Sequence, residues 1–348
     1  MLPSVLFDAS YFAMPGASEH VDDIEDIFMN INDWADRMTN QNVADFLIAY
    51  DVIDVLSAAN CYPLVENVNA LLELYELSHV FSANDISSRM LTIMSNAETV
   101  LESWGCETDE YQNCAIGGVD LSVCGDKILV ENFERLCSTI AHSERSANTR
   151  ILSSFPVNGE ILRVSTTVEA VRQKDGATQV VLEPERMTVE IPHIDTPESF
   201  LRSLDPLQVW TDAETPEQIH LAVSLQVARD MDLNISSLPL EGESKFFVGS
   251  DFIWSLDRHG INDNQQNSAV VLRKCAECVT GAKGTFVRDF GEIRTRDKAT
   301  SHRMHITKGG AAYRLMFWKK DGVPELANVG PKNELRILQG GTLHRAEF

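Results

Sequence analysis

"HRMHITKGGAAYRLMFWKKDGVPELANVGPK", residues 302–332, predicts three short strands that fold into an antiparallel ribbon. Turn signals that contain glycine separate its apolar and basic segments, a pattern typical of β-hairpins. Because side chains alternate along a strand, Arg303 and His305 share one side of the first strand, and Arg314 lies on one side of the second. The ribbon is therefore expected to gather cations on one face.

Two further side chains extend this predicted face. Trp318 shares the side of Arg314 in "YRLMFW", and Lys332 follows the turn formed by Gly330 and Pro331. Aromatic rings stack on unpaired bases, and cations neutralise phosphates. We therefore predict that nucleic acid is bound by Arg303, Arg314, Trp318, Lys319, Lys320, Lys332 and Arg336.

The ribbon belongs to a basic part of an acidic chain. The 348 residues carry a formal net charge of -23. Residues 245–348 hold 17 Lys and Arg against 11 Asp and Glu, whereas residues 1–244 hold 12 against 41. A basic module favours a polyanionic partner, and an acidic one favours basic protein surfaces. The simpler alternative is that the acidic faces only keep the protein in solution.

The length and the hydrophobic patterns predict a multidomain α+β fold. Residues 1–145 are predicted as an acidic, mainly helical domain in which a helical bundle, with Ser18 and Ser82 as candidate N-caps, follows one early strand. Residues 151–240 are predicted as a mixed α+β domain with a hairpin at "KDG". Residues 245–348 are predicted as a small β-α-β-β-β module in which "KFFVGSDFIWSLDRHG" forms a strand or a strand pair.

The same reading predicts a cytoplasmic protein that does not bind a membrane. The N-terminus lacks the basic start of a signal peptide, and charged residues interrupt every apolar stretch. Seven cysteines, an odd number, suit a reducing compartment. Cys275 and Cys278 have CxxC spacing inside a predicted helix, without a second pair or a neighbouring His, so neither a metal nor another cofactor is expected.

The order of strand, helix and basic strands over residues 245–340 resembles the RelE/ParE family of small bacterial toxins. The shared features are a basic strand, a Tyr-Arg-apolar-apolar-aromatic strand, a short turn, and an apolar strand followed by a basic position. RNase members of that family cleave messenger RNA on the ribosome, so the resemblance implies RNA or the ribosome as partner. ParE-like members lack RNase activity, and the late Tyr of the family is missing from "ELRILQGG".

Carried over residue by residue, the resemblance implies a metal-independent ribonuclease with Arg303, His305, Arg314 and Lys332 as catalytic residues. Arg and Lys would neutralise the phosphate, and His would assist proton transfer. The resulting hypothesis is a nucleic-acid-directed effector, an RNase-type toxin for growth arrest or phage defence. The acidic N-terminal region or an antitoxin bound to that region would restrain it.

Two alternatives stay open at this point. One is a non-enzymatic adaptor subunit of a larger assembly, whose acidic surface binds a basic partner. The other begins with "VLFDASYF", which resembles the first strand of PIN-type metal nucleases. That resemblance implies Asp8 as a Mg²⁺ ligand with Asp85 as a second ligand, because a hard divalent cation needs several converging carboxylates.

Overall fold

The computed structural model describes residues 3–14, 21–40, 44–233, 245–282, 287–307 and 312–339. The chain divides into two compact units, Pro3–Phe200 and Leu201–Phe348, here called the N-terminal and the C-terminal unit. Each unit contains its own β-sheet and its own helices, so the predicted multidomain α+β class is confirmed. The predicted N-cap Ser18 lies outside the described residues.

The N-terminal unit alternates strands and helices before it ends in long antiparallel strands. Its strands are β1 (Ser4–Phe7), β2 (Asp45–Ile48), β3 (Glu98–Thr99), β4 (Cys106–Gly117), β5 (Thr149–Leu152), β6 (Ile161–Gln173), β7 (Thr178–Val180) and β8 (Arg186–Ile194). Its helices are α1 (Ala9–Phe12), α2 (Val21–Asn40), α3 (Val52–Ala58), α4 (Val65–Leu74), α5 (Ala83–Asn96), α6 (Val100–Trp104) and α7 (Lys127–His142).

One sheet runs through this whole unit in the order β3-β2-β1-β5-β8-β6-β4, with β7 paired to β6. In this order, β3, β2, β1, β5 and β8 are parallel to their neighbours among these five strands. Strand β6 is antiparallel to β8 and to β4. Because β1 pairs with β5, the predicted domain boundary at residues 145–151 does not separate two domains. Pairing between segments so far apart in the chain leaves no local signal.

The predicted helical bundle of residues 18–105 is also wrong in part. Residues 41–60 were expected to be helical, but Asp45–Ile48 forms β2 between β1 and β3. Phe46, Leu47 and Ile48 are all buried. A strand that is covered on both faces has a continuous apolar run, which a helical pattern also accommodates. The N-cap Ser82 is confirmed, since its side chain accepts a hydrogen bond from the backbone N–H of Asp85.

The segment 106–127, within the predicted mainly helical domain, contains the twelve-residue strand β4. The predicted hairpin at "KDG" is confirmed: β6 and β7 flank it, and Gly176 adopts φ +84°, which glycine allows without strain. Helix α7 packs against β4 and β6. This sheet and its helices therefore bring the whole of residues 3–200 around one core.

The C-terminal unit begins within α8 (Pro197–Ser203). It continues with α9 (Pro206–Thr211), α10 (Pro216–Met231), β9 (Phe247–Val248), α11 (Phe252–Arg258), α12 (Gln265–Thr280), β10 (Val287–Ile293), β11 (Thr300–His305), β12 (Tyr313–Lys320) and β13 (Val323–Pro331). Helix α10 packs against α9, α12 and β9, so it belongs to this unit and not to a separate middle domain.

The sheet of the C-terminal unit has the order β10-β11-β12-β13-β9, with β9 parallel to β13 and the other neighbours antiparallel. The ribbon is confirmed, with β10 as an additional edge strand. Only Phe247–Val248 of "KFFVGSDFIWSLDRHG" is a strand, and Phe252–Arg258 is helical because buried Phe252 and Leu256 have helical spacing. The CxxC pair lies in α12, as predicted.

No helix in the described part of the chain is long and apolar enough to cross a membrane.

Candidate nucleic-acid interface

The strand register brings the predicted cations onto one face of the C-terminal sheet. His305 of β11 lies directly opposite Arg314 of β12, and residues directly opposite one another share a face. Arg303, two residues before His305, shares that face and lies opposite Arg288 of β10. Lys332 follows the end of β13 and acts electrostatically on His305. We call these five residues the cationic face.

Like charges dominate the electrostatics of the cationic face. Partial burial, and then the charges of Arg314, Arg288, Arg303 and Lys332, lower the pKa of His305. Partial burial, followed by Arg303 and Arg288, also lowers the pKa of Arg314. Several cations thus act on His305 and Arg314 from neighbouring strands, and these charges together with partial burial favour the neutral form of His305.

The guanidinium groups are held in fixed places. Arg303 lies over the ring of Phe290, with its Cζ 5.0 Å from the ring centroid. Phe290 in turn packs against a buried cluster that contains Met316. Arg314 is half-buried, and its Nε has no hydrogen-bond partner among the described residues. That N–H is a donor whose desolvation is not compensated in the free protein.

Gly330 sets the position of Lys332. The backbone N–H of Glu334 donates to the carbonyl of Pro331 at 2.8 Å, which turns the chain back across the sheet. A Cβ at Gly330 would lie 2.9 Å from the Cβ of Glu334 and 3.0 Å from the methyl carbon of Met316. Only glycine permits this close approach, so the Gly-Pro pair places Lys332 within the cationic face.

The prediction that Trp318 stacks on a base is wrong. Its side chain is 1% exposed, in a buried cluster with Met316 and Ile337. Its Nε1 donates to the carbonyl of Leu338 at 2.8 Å, and Arg294 lies over its ring. The segment after β13 folds over this part of the sheet face and covers the ring. Strand alternation predicted the side of the sheet on which Trp318 lies, but it did not predict that the segment after β13 buries the ring.

Three other predicted cations lie apart from the cationic face. Lys319 and Lys320 are exposed at the far end of β12, roughly 20 Å along the strand from Arg314 at about 3.4 Å per residue. Alternation places Lys319 on the opposite face, where it influences His302. Arg336 is exposed in the segment after β13. Arg288, in contrast, was missed, although alternation in "VRDF" beside a predicted basic strand could have found it.

Arg294 is a cation with a structural role. It is 1% exposed and forms ion pairs with Glu325 at 2.7 Å and with Asp297 at 2.5 Å. Arg296 lies 3.4 Å from the same Glu325 carboxylate and is more exposed. These contacts connect the turn between β10 and β11 to β13. The excess of cations in the C-terminal unit is thus divided between a buried network and an accessible face.

The proposed metal ligand Asp8 does not face solvent. It is fully buried at the end of β1, where it caps α1 by accepting a hydrogen bond from the backbone N–H of Ser10 at 2.9 Å. The amide of Asn132, oriented to satisfy both neighbours, donates to Asp8 at 3.2 Å and accepts from Arg135 at 2.8 Å. Asp85 is exposed in the first turn of α5. Among the described residues, no group of three His, Cys, Asp or Glu could hold a metal ion.

Burial raises the pKa of Asp8 to about 7, despite hydrogen bonds from Ser10 that lower it. The folded protein keeps this proton up to about pH 7, whereas the unfolded chain loses it near pH 4. Stability contributed by protonated Asp8 is therefore present at low pH and is lost as the pH rises towards 7.

We expect the stability of the wild type, relative to Asp8→Asn, to fall as the pH rises. The fall should be on the order of 1 kcal/mol per pH unit between about pH 5 and pH 7, because Asn cannot ionise. Urea unfolding at several pH values measures the difference. Asp54→Asn, at an exposed position, is the control. Parallel pH profiles for wild type and Asp8→Asn would contradict a raised pKa at Asp8.

Comparisons with protein-family models, with curated proteins and with solved structures found no match to this chain.

Proposed function

We propose that the C-terminal unit binds RNA, with the cationic face holding its phosphates. The observation that carries this proposal is the convergence of Arg303, Arg314, Arg288 and Lys332 around His305, which the strand register brings onto one face of the sheet. Mutual repulsion of like charges destabilises the free protein, and a bound polyanion removes that repulsion.

We further propose that bound RNA is cleaved without a metal ion, as the RelE/ParE resemblance implies. His305, kept mainly neutral, accepts the proton of a 2′-hydroxyl. The 2′-oxygen then attacks the adjacent phosphorus, the bond to the 5′-oxygen breaks, and water supplies the proton to that leaving oxygen. Arg303 and Arg314 stabilise the additional negative charge on phosphorus, and Lys332 contributes at longer range.

Cleavage is tested with a labelled RNA in the presence of EDTA. We expect the full chain to release fragments that end in a 2′,3′-cyclic phosphate and a 5′-hydroxyl. His305→Ala should lower the rate by about a hundredfold or more, as loss of a general base does, while RNA binding is retained. His142→Ala is the matched control in the N-terminal unit. Intact RNA, or equal rates for His305→Ala and wild type, would contradict cleavage by this face.

The biological role that accompanies this activity is growth arrest or phage defence in the cytoplasm. The N-terminal unit, or an antitoxin bound to it, restrains the C-terminal unit in this proposal. Induced expression of the full chain with and without His305→Ala tests it through cell growth and the integrity of cellular RNA. Equal growth and intact RNA in both cultures would contradict the toxin role.

A second candidate function, that of an adaptor, is favoured by a groove in the N-terminal unit. Helices α3, α4 and α5 border a cavity of about 490 Å³ whose lining carries no charged side chain. Its apolar members Ile53, Val65 and Leu91 are 54%, 37% and 40% exposed. Exposed Asp54 and Glu66 adjoin the first two. Apolar contact within an acidic rim fits a basic amphipathic helix of a partner protein.

A synthetic amphipathic peptide of Leu and Lys is the probe for this groove. We expect Leu91→Arg to weaken binding of the peptide to the full chain by about tenfold or more, because the new Arg occupies the groove and repels the Lys residues of the peptide. Leu182→Arg, at a position that is 94% exposed outside the groove, is the control. An equal loss of peptide affinity in both variants would contradict a site for a basic helix. Equal affinity of the wild type for a peptide of Leu and Glu would contradict it as well.

A further inference from the structure

Trp254 is unusually exposed for a tryptophan. Its side chain is 52% exposed on α11, whereas Trp34, Trp210 and Trp318 are each at most 1% exposed. The buried side of the same helix is formed by Phe252 and Leu256, so Trp254 is not needed to hold α11 on the unit. Covering an exposed Trp ring with another apolar or aromatic group is favourable in free energy.

Arg258 lies over this indole ring. It follows Trp254 by one helical turn, and its Cζ lies 5.0 Å from the ring centroid. Arg258 is itself exposed, so the pair presents a cation and an aromatic surface together. This combination occurs where proteins hold single-stranded nucleic acid, because the ring stacks on a base while Arg attracts the phosphates.

The pair lies at the same end of the sheet as the cationic face. Helix α11 ends at Arg258, and the carbonyl of the next residue, His259, accepts a hydrogen bond from the Tyr313 hydroxyl at 3.2 Å. Tyr313 immediately precedes Arg314 at the start of β12. The charge of Glu334, which packs over Gly330, also acts on His259. Because side chains alternate along β12, Tyr313 and α11 lie on the face of the sheet opposite Arg314. An RNA strand held by Arg314 therefore reaches α11 around the end of the sheet where β12 begins.

We propose that Trp254 and Arg258 form a stacking platform for an unpaired base of the RNA that the cationic face binds. This inference rests on the proposed RNA binding and narrows its ligand to single-stranded RNA. A base within a duplex is already stacked and paired, and it offers no free face to the indole ring. In a single strand, one unpaired base can stack on the ring while the phosphates of nucleotides farther along the strand stay on the cationic face.

The first test compares a short oligouridylate with a blunt-ended RNA duplex of equal length, both fluorescently labelled, in titrations with the full chain. Trp254→Ala should weaken binding of the single strand by about tenfold, in the range for loss of one stacking contact, and leave binding of the duplex unchanged. Trp254→Phe should restore part of the affinity, because it retains an aromatic ring. Leu335→Ala, at a position 69% exposed in the same unit, is the control.

The second test removes the base instead of the ring. An oligonucleotide with abasic sites keeps its phosphates but lacks bases, so it should bind the wild type about tenfold more weakly than oligouridylate does. Trp254→Ala should bind the abasic strand and oligouridylate with equal affinity. Equal affinity of the wild type for the abasic and the intact strand would overturn the platform. If RNA of neither form binds, or if binding ignores Arg303 and Arg314, the proposed RNA binding itself is wrong.

Discussion

Arg303→Glu combined with Arg314→Glu is expected to weaken RNA binding by the full chain about a thousandfold. Each substitution removes a charge-assisted contact to phosphate, worth about 1.5–3 kcal/mol, and tenfold in affinity corresponds to about 1.4 kcal/mol. The two residues lie within one charge cluster, so their replacement by acids also repels the RNA. Fluorescence anisotropy at low salt, with a labelled single-stranded RNA, measures the effect.

The salt dependence distinguishes lost phosphate contacts from misfolding. Arg303→Gln combined with Arg314→Gln should lower the slope of log affinity against log salt by about 1.4, because each single-strand contact contributes about 0.7. The matched control is Arg163→Gln with Arg186→Gln, two exposed arginines of the N-terminal unit. A slope that stays unchanged in the first pair, or falls equally in the control, would show that the cationic face does not contact phosphate.

Arg294→Met is expected to destabilise the C-terminal unit by about 3–5 kcal/mol. The substitution removes the main partner of the buried carboxylate of Glu325 and of the partly buried carboxylate of Asp297, and an unpaired buried charge is costly. Met keeps much of the volume beside Trp318, over whose ring Arg294 now lies. Hydrogen exchange of the β12 and β13 amides in the full chain measures the local loss of stability.

Arg296→Met is the matched control for this prediction. Arg296 contacts the same Glu325 carboxylate, but its side chain is 39% exposed, so its loss should cost less than about 1 kcal/mol. RNA affinity under native conditions should stay close to that of the wild type in both variants. Equal protection of the β12 and β13 amides in Arg294→Met and wild type would contradict a structural role for this ion-pair network.

Local signals predicted several elements of the fold correctly. The "KDG" turn between two alternating segments predicted the β6–β7 hairpin, and Thr215-Pro216 with Glu217 indicated where α10 begins. These features depend on residues within a few positions of one another. The pairing of β1 with β5 depends on residues more than a hundred positions apart, and the predicted three-domain division failed there.

The same distinction applies to the cationic face. Alternation along each strand placed Arg303 with His305 and Arg314 with Trp318 before any pairing was known. Whether the two strands presented those residues on a common face was a matter of register, which a shift of one residue would have reversed. Burial of Trp318 and the addition of Arg288 depended on segments that fold over or beside the ribbon.

Composition, short-range periodicity and turn residues directly specify the α+β class, the basic ribbon, its alternating sides and the charge difference between the two parts of the chain. Three features follow only from tertiary contacts: the single sheet of the N-terminal unit, the burial of Arg294 in ion pairs while Arg303 and Arg314 stay accessible, and the exposure of Trp254 rather than Trp318. Burial and strand register arise from contacts between distant segments, and the free energy of those contacts is not encoded in any one local stretch.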